Sequence, residues 1–126
     1  MITLKGIDHF VMPVSSIEDA VAFYGRVLGA KEIRYGAGRS ALAIGSQKIN
    51  LHAEGRAPAR RARRPTIGSA DFCIEVEGPV EGVLAHLAAL GVTVEEGPAP
   101  RNGARGTMMS VYFRDPDENL VELSVY

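Results

Sequence analysis

A single cysteine, Cys73, among 126 residues excludes an internal disulfide and a four-thiolate zinc site. No stretch approaches the roughly 18–20 uninterrupted apolar residues that a membrane-spanning helix needs. The opening MITLKGIDHF has no apolar run leading to a cleavage site, so a cytoplasmic protein is expected. An excess of charge is missing as well. Fourteen basic and 15 acidic residues leave a net −1, which argues against a general nucleic-acid binder. No P-loop, dinucleotide fingerprint or hydrolase elbow occurs. What is present is an ordinary globular balance, 46% apolar and 23% charged, so the chain is not disordered. Its length allows one compact domain or two small repeated modules.

The chain repeats itself. A shift of 62 residues superposes Gly6 on Gly68, Phe10 on Phe72, Val14 on Val76, Val21 on Val83, Leu28 on Leu90 and Gly29 on Gly91. In the first copy, residues 7–14 alternate as a strand, with Phe10, Met12 and Val14 on one face and His9 and Val11 on the other. Ser15 and Glu18 have capping-box spacing, which starts a helix near Ser16. Ile17, Val21, Tyr24 and Leu28 form its apolar stripe, and Gly29 ends it. In the second copy, residues 70–76 repeat the strand. Pro79 suits the first helical turn, Val80, Val83, Leu84, Leu87 and Leu90 form the stripe, and Gly91 ends it.

Three short strands are expected after each helix: 31–36, 39–45 and 47–53, then 92–97, 107–114 and 119–126. Pro116 presets the DPDE turn between the last two. The expectation is an α+β fold of two βαβββ modules forming a cleft-shaped mixed sheet, with helices on the outer face. Module 1 covers 1–54, an Arg-rich linker 55–68, and module 2 69–126, in a single domain spanning 1–126. One module cannot bury both faces of its sheet, so two modules or a partner chain must complete the structure. The linker carries Arg56, Arg60, Arg61, Arg63 and Arg64. It reads as a mobile segment, either a solvated loop or a place to hold an anionic group.

Alternation then identifies the polar residues forced away from the helix side. They are His9 and Asp71 in the two first strands, and Asn50 and His52, then Glu122 and Ser124, in the two last strands; His52 and Glu122 are taken as equivalent, which makes His9, His52, Asp71 and Glu122 the four candidate ligands. Two imidazoles and two carboxylates balance a divalent cation and suit Zn, Ni, Mn, Co or Fe(II). On pattern alone, each of these side chains can equally make a local hydrogen bond or face solvent. Glu75, Ser110 and Tyr112 fall on the same side and are candidate substrate contacts. Arg101 and Arg105 lie in a Gly-rich stretch, 100–106, read as a loop. Cys73 reads as a small residue rather than a nucleophile, and His86 as a helix-surface group.

GIDHFVMPVSSIEDAVAFYGRVLGA at the start and YFRDPDENLVELSVY at the end resemble the opening and closing signatures of the glyoxalase/bleomycin-resistance/dioxygenase group, the vicinal oxygen chelate superfamily. The resemblance covers nearly the whole chain except the arginine linker. It implies one divalent metal per site on His9, His52, Asp71 and Glu122. It also implies a small substrate chelated through vicinal oxygens, and a homodimer. The implied reaction is a glyoxalase-like lyase or isomerase of the lactoylglutathione lyase type, with Glu122 or Asp71 as general base to a metal-stabilised enediolate. The arrangement departs from the group's usual one His and one Glu per module. The alternatives are an Fe(II) extradiol-type dioxygenase using His9, His52 and Glu122, and a non-catalytic small-molecule or drug binder.

Overall fold

Serine 16, not Ser15, starts the first helix. Its hydroxyl accepts a hydrogen bond from the Asp19 amide at 3.1 Å, satisfying one of the donors that a helix start leaves open. The computed structural model describes residues 1–126 and divides after Ile67 into two compact units. No helix in it is long and apolar enough to cross a membrane.

The first unit runs β1 (His9–Pro13), α1 (Ile17–Leu28), β2 (Glu32–Tyr35), β3 (Arg39–Ile44) and β4 (Gln47–His52). Its sheet has the order β1-β4-β3-β2, with β1 parallel to β4 and the other pairs antiparallel. Met12, Val14, Leu42, Ile49 and Leu51 are buried on the helix side. Each such side chain contributes roughly 1.5–3 kcal/mol when fully covered. The buried stripe of α1 is Ile17, Ala20, Tyr24 and Val27. It is turned from the expected Ile17, Val21, Tyr24 and Leu28, because the wide apolar face of a core helix lets small Ala20 approach the sheet closely. Gly29 closes α1 at φ 68°, a left-handed conformation that glycine adopts at little cost.

The second unit repeats this plan with β5 (Asp71–Glu75), α2 (Val80–Ala89), β6 (Glu96–Gly103), β7 (Gly106–Arg114) and β8 (Leu120–Val125). The order is β5-β8-β7-β6, and again the first and last strands pair in parallel. The fold is therefore α+β, two four-stranded mixed sheets each with one helix. Val111, Phe113, Val121, Leu123 and Leu87 form the buried side. Pro79 caps α2 in an extended conformation rather than sitting inside its first turn.

Two further expectations change. The strand placed at 92–97 lies at 96–103, through the stretch read as a loop. Pro98 and Pro100 are tolerated because β6 is an edge strand whose outer amides need no partner. The ladder shifts between Glu96 and Ala99, and Gly97 has φ 102° there. A Cβ at Gly97 would run into the Ser110 carbonyl, so glycine is required. The arginine segment belongs with the first unit rather than bridging freely, and Arg56 pairs with Glu18 of α1 at 2.8 Å.

The DPDEN turn is a built clamp. Asp115 Oδ1 accepts from the amides of Asp117 (2.9 Å) and Asn119 (3.0 Å), and Asn119 Nδ2 donates to Asp115 Oδ2 at 2.9 Å. Asn119 Oδ1 then accepts from the Ala70 amide at 2.9 Å, tying the start of β8 to the residue before β5. Asp115 and Asn119 are buried, so every one of these bonds replaces lost water. Replacing Asn119 with Ala removes the acceptor of the Ala70 amide and one donor to Asp115 Oδ2. Urea denaturation is expected to show a loss of about 2–3 kcal/mol, and unchanged stability would remove the clamp from the account.

Candidate functional site

Strand register decides which polar side chains share a neighbourhood. In the first unit His9 pairs with Lys48, Val11 with Asn50 and Pro13 with His52. In the second, Asp71 pairs with Leu120, Cys73 with Glu122 and Glu75 with Ser124. The flanking bonds carry the same correspondence. Lys48 N donates to Asp8 O (3.4 Å) as Leu120 N does to Ala70 O (3.0 Å), and Val14 N donates to His52 O (2.9 Å) as Val76 N does to Ser124 O (2.9 Å).

The residue of the first unit that corresponds to Glu122 is therefore Asn50, and His52 corresponds to Ser124. This corrects the sequence alignment of His52 with Glu122. The last strands match at a shift of 72 residues rather than 62, since the chain between helix and last strand is longer in the second unit. It also separates the two histidines. His9 and His52 are four register positions apart, about 13 Å along the strand at ~3.3 Å per residue. Two imidazoles so placed do not share one ion, so His52 leaves the expected ligand set. The His9–His52–Glu122 facial triad of the dioxygenase alternative goes with it. His9 and Asn50 lie two positions apart, as do Asp71 and Glu122. That diagonal spacing is within reach of long side chains on one face.

Alternation placed Asn50 on the face of His52 but did not single it out as a ligand; it is buried yet leaves its side-chain Oδ1 without a hydrogen-bond partner. Burying an unmet amide oxygen costs about 1–3 kcal/mol, and such an exception in a native fold calls for a reason. It faces the same side as His9. The His9 Nδ1 is 2.6 Å from Asp8 Oδ1. That contact orients the ring and leaves Nε2 to act as a ligand, as the carboxylate partners of metal-bound histidines do. No three His, Cys, Asp or Glu side chains gather into a metal-sized group. The donor chemistry of His9, Asn50, Asp71 and Glu122 nevertheless suits a hard or borderline divalent ion: one imidazole, one amide oxygen and two carboxylates.

The Glu122 face of the second sheet is a continuous polar network. Ser124 Oγ donates to Glu122 Oε2 at 3.0 Å, and lies 2.7 Å from Ser110 Oγ and 3.0 Å from Cys73 Sγ. Ser110 and Ser124 are buried. Glu75, Ser110 and Tyr112 lie on this face by register, as alternation implied. Glu75 is committed to Arg105 through both its oxygens, at 2.9 and 3.0 Å. Arg101 donates to the Tyr112 hydroxyl (3.1 Å) and to Glu96 (3.0 Å). Arg101 of β6 and Arg105 of the following turn thus hold the protein's own carboxylates. Burial is the main cause that raises the Tyr112 phenol and the Cys73 thiol, with neighbouring Glu122 adding to each. A thiol so held stays protonated and is a poor nucleophile. His86 is exposed on α2.

His52 occupies a different setting, beside a cavity of the first unit. Burial first, then the charges of Arg39 and Arg61, hold its imidazole below the ordinary value.

Comparison with known proteins follows the same outline. A family model described as the Glyoxalase/Bleomycin resistance protein/Dioxygenase superfamily matches residues 6–123. The chain is 44% identical over 120 residues to "Virulence protein STM3117" of Salmonella typhimurium, covering 95% of this chain and 83% of that protein. The crystal structure of the Salmonella protein superposes with a TM-score of 0.96 at 42% identity, covering 99% of each chain. "Glyoxalase domain-containing protein RDO1" of Mycosarcoma maydis is 41% identical over 125 residues, 99% of this chain and 70% of that protein. An integron cassette protein of V. cholerae gives a TM-score of 0.96 at 43% identity, covering 100% of this chain and 98% of the other.

The folded chain protonates His52 less readily than the unfolded chain does. Stability is therefore unaffected by His52 above the ordinary imidazole range, and is lost as pH falls through it. An NMR titration is expected to place the His52 midpoint below the ordinary imidazole value and to move it upward in Arg61→Gln. A midpoint unchanged by that substitution would contradict the assignment of cause.

Proposed function

The chain belongs to the glyoxalase/bleomycin resistance protein/dioxygenase superfamily, and on that premise we propose that it is a divalent-metal-dependent lyase or isomerase of the lactoylglutathione lyase type. Its substrate is small and binds through two adjacent oxygens. His9, Asp71 and Glu122 are the proposed metal donors, with the Asn50 amide oxygen as the fourth. The observation that carries this reading is the repeated diagonal. In each unit a polar residue of the first strand stands two register positions from one of the last strand, and one of the four is a buried oxygen with no other partner.

A bound divalent ion would supply Lewis acidity, making a hydrogen on carbon beside the chelated oxygens easier to remove. Glu122 is then the proposed base, taking that proton and returning it to the neighbouring carbon, while Asp71 anchors. Ser124 holds Glu122 Oε2 and steers the carboxylate. The Ser110–Ser124 pair fixes Ser124 in turn, so the base keeps one orientation. Tyr112, protonated across the working range, is a neutral donor next to Glu122. The reading extends to a homodimer in the cytoplasm. Exposed Ile2, Leu4, Ile7 and Val11 support the dimer, because an apolar N-terminal stretch gains from being covered.

Metal analysis of the chain purified without added metal is expected to give close to one divalent ion per site. Glu122→Gln and Asp71→Asn are expected to lose most of it, and His52→Ala to keep it. Turnover of the hemithioacetal of an α-ketoaldehyde is expected to fall by at least 100-fold in Glu122→Gln. Full metal in Glu122→Gln, or a wild-type chain that takes up no divalent ion, would overturn the reading in favour of a non-catalytic binder.

A further inference from the structure

The first unit contains a cavity of about 270 Å³ that the proposed metal chemistry leaves unused. Its size is near the lower end of small-molecule sites, which run from roughly 300 to 1,000 Å³. It is lined by Val14 and His52, at the end of the β1–β4 pair, and by Arg61, Pro65 and Ile67 of the arginine segment. Largely apolar walls with a few polar groups are what a small ligand with a charged head requires. Glu54 is the single acid of the lining.

Charge identifies the head group. Of the five arginines in the segment, Arg56 is paired with Glu18, whereas Arg60, Arg61, Arg63 and Arg64 have no carboxylate within ion-pair distance. Arg61 reaches only the Pro58 carbonyl, at a long 3.5 Å. An unpaired guanidinium on the wall of an apolar cavity is a fork waiting for a planar anion, and it matches a carboxylate through two parallel bonds. Glu54 opposes a second negative charge, which favours a monoanion over a polyphosphate.

We propose that this cavity binds a small organic monocarboxylate with a compact apolar body. Arg61 takes the carboxylate, His52 contributes a ring N–H to it, and Val14, Pro65 and Ile67 cover the body. The segment rich in arginine is thereby a wall of a binding site rather than a solvated spacer. The site stands apart from the metal donors, since His52 is four register positions from His9.

The test uses the full chain, isotopically labelled and treated with a chelator so that metal plays no part. Benzoate is titrated in and followed by NMR, with benzamide as neutral isostere and sulfate as a bare anion. Benzoate is expected to give saturable shifts at the His52 ring and the Val14 and Ile67 methyl groups. Binding is expected to weaken at least tenfold in Arg61→Ala, and benzamide and sulfate to bind at least tenfold more weakly than benzoate. Arg63→Ala removes the same charge without touching the lining, and is expected to stay within twofold of wild type. The proposal is overturned by equal benzoate affinity in Arg61→Ala, by benzamide binding as well as benzoate, by an Arg63→Ala loss as large as that of Arg61→Ala, or by the absence of saturable shifts. Retention of the wild-type spectrum elsewhere shows that each variant remains folded.

Discussion

Parallel pairing of the first strand with the last, in each unit, is the constraint on which the rest depends. The side chains of a strand alternate strictly, so one residue of slip would send every polar group to the helix side. The pairing is held at both ends: by Lys48 to Asp8 and Val14 to His52 in the first unit, and by Leu120 to Ala70 and Val76 to Ser124 in the second. The second unit adds the buried Asp115–Asn119 clamp, which ties the turn before β8 to the chain entering β5. A stretch that would read as a mere turn in most proteins therefore sets where Asp71 and Glu122 stand.

The two units use this common frame differently. On the Glu122 face, serines, a thiol and a phenol knit into one hydrogen-bonded network around a carboxylate. On the matching face of the first sheet, the equivalent position holds an amide with an unmet oxygen, and the next position on that face holds a histidine whose protonation is opposed by burial and by the charges of Arg39 and Arg61. Duplication thus kept the backbone and let the polar residues diverge. One unit supplies the acid–base chemistry of the proposed reaction, and the other a neutral donor and a separate basic cavity.

Much of this could be read from the residues. The duplication, the α+β class, both helices, the helix stop at Gly29 and most strands follow from alternation and glycine placement. The strand through Pro98 and Pro100 was hidden because proline argues against a strand unless it lies at an edge, and edges are a property of the assembled sheet. Asn50 was hidden for a related reason. The last strands repeat at 72 residues, whereas equating His52 with Glu122 takes 70, a slip of two that keeps every side chain on its face and so leaves the alternation intact. Asn50 carried a signal all the same: it is an amide on the same alternation as His52 and the partner of Val11. The register, which only the fold reveals, separates it from the more conspicuous histidine.

Asn50, and not His52, is the counterpart of Glu122 in the proposed set of metal donors. Manganese added to the labelled, chelator-treated chain tests it directly, because a paramagnetic ion broadens nearby resonances most strongly. The Asn50 side-chain amide and the His9 ring are expected to broaden at the lowest manganese ratios, while the His52 ring outlasts both. Early loss of His52 with Asn50 spared would contradict it.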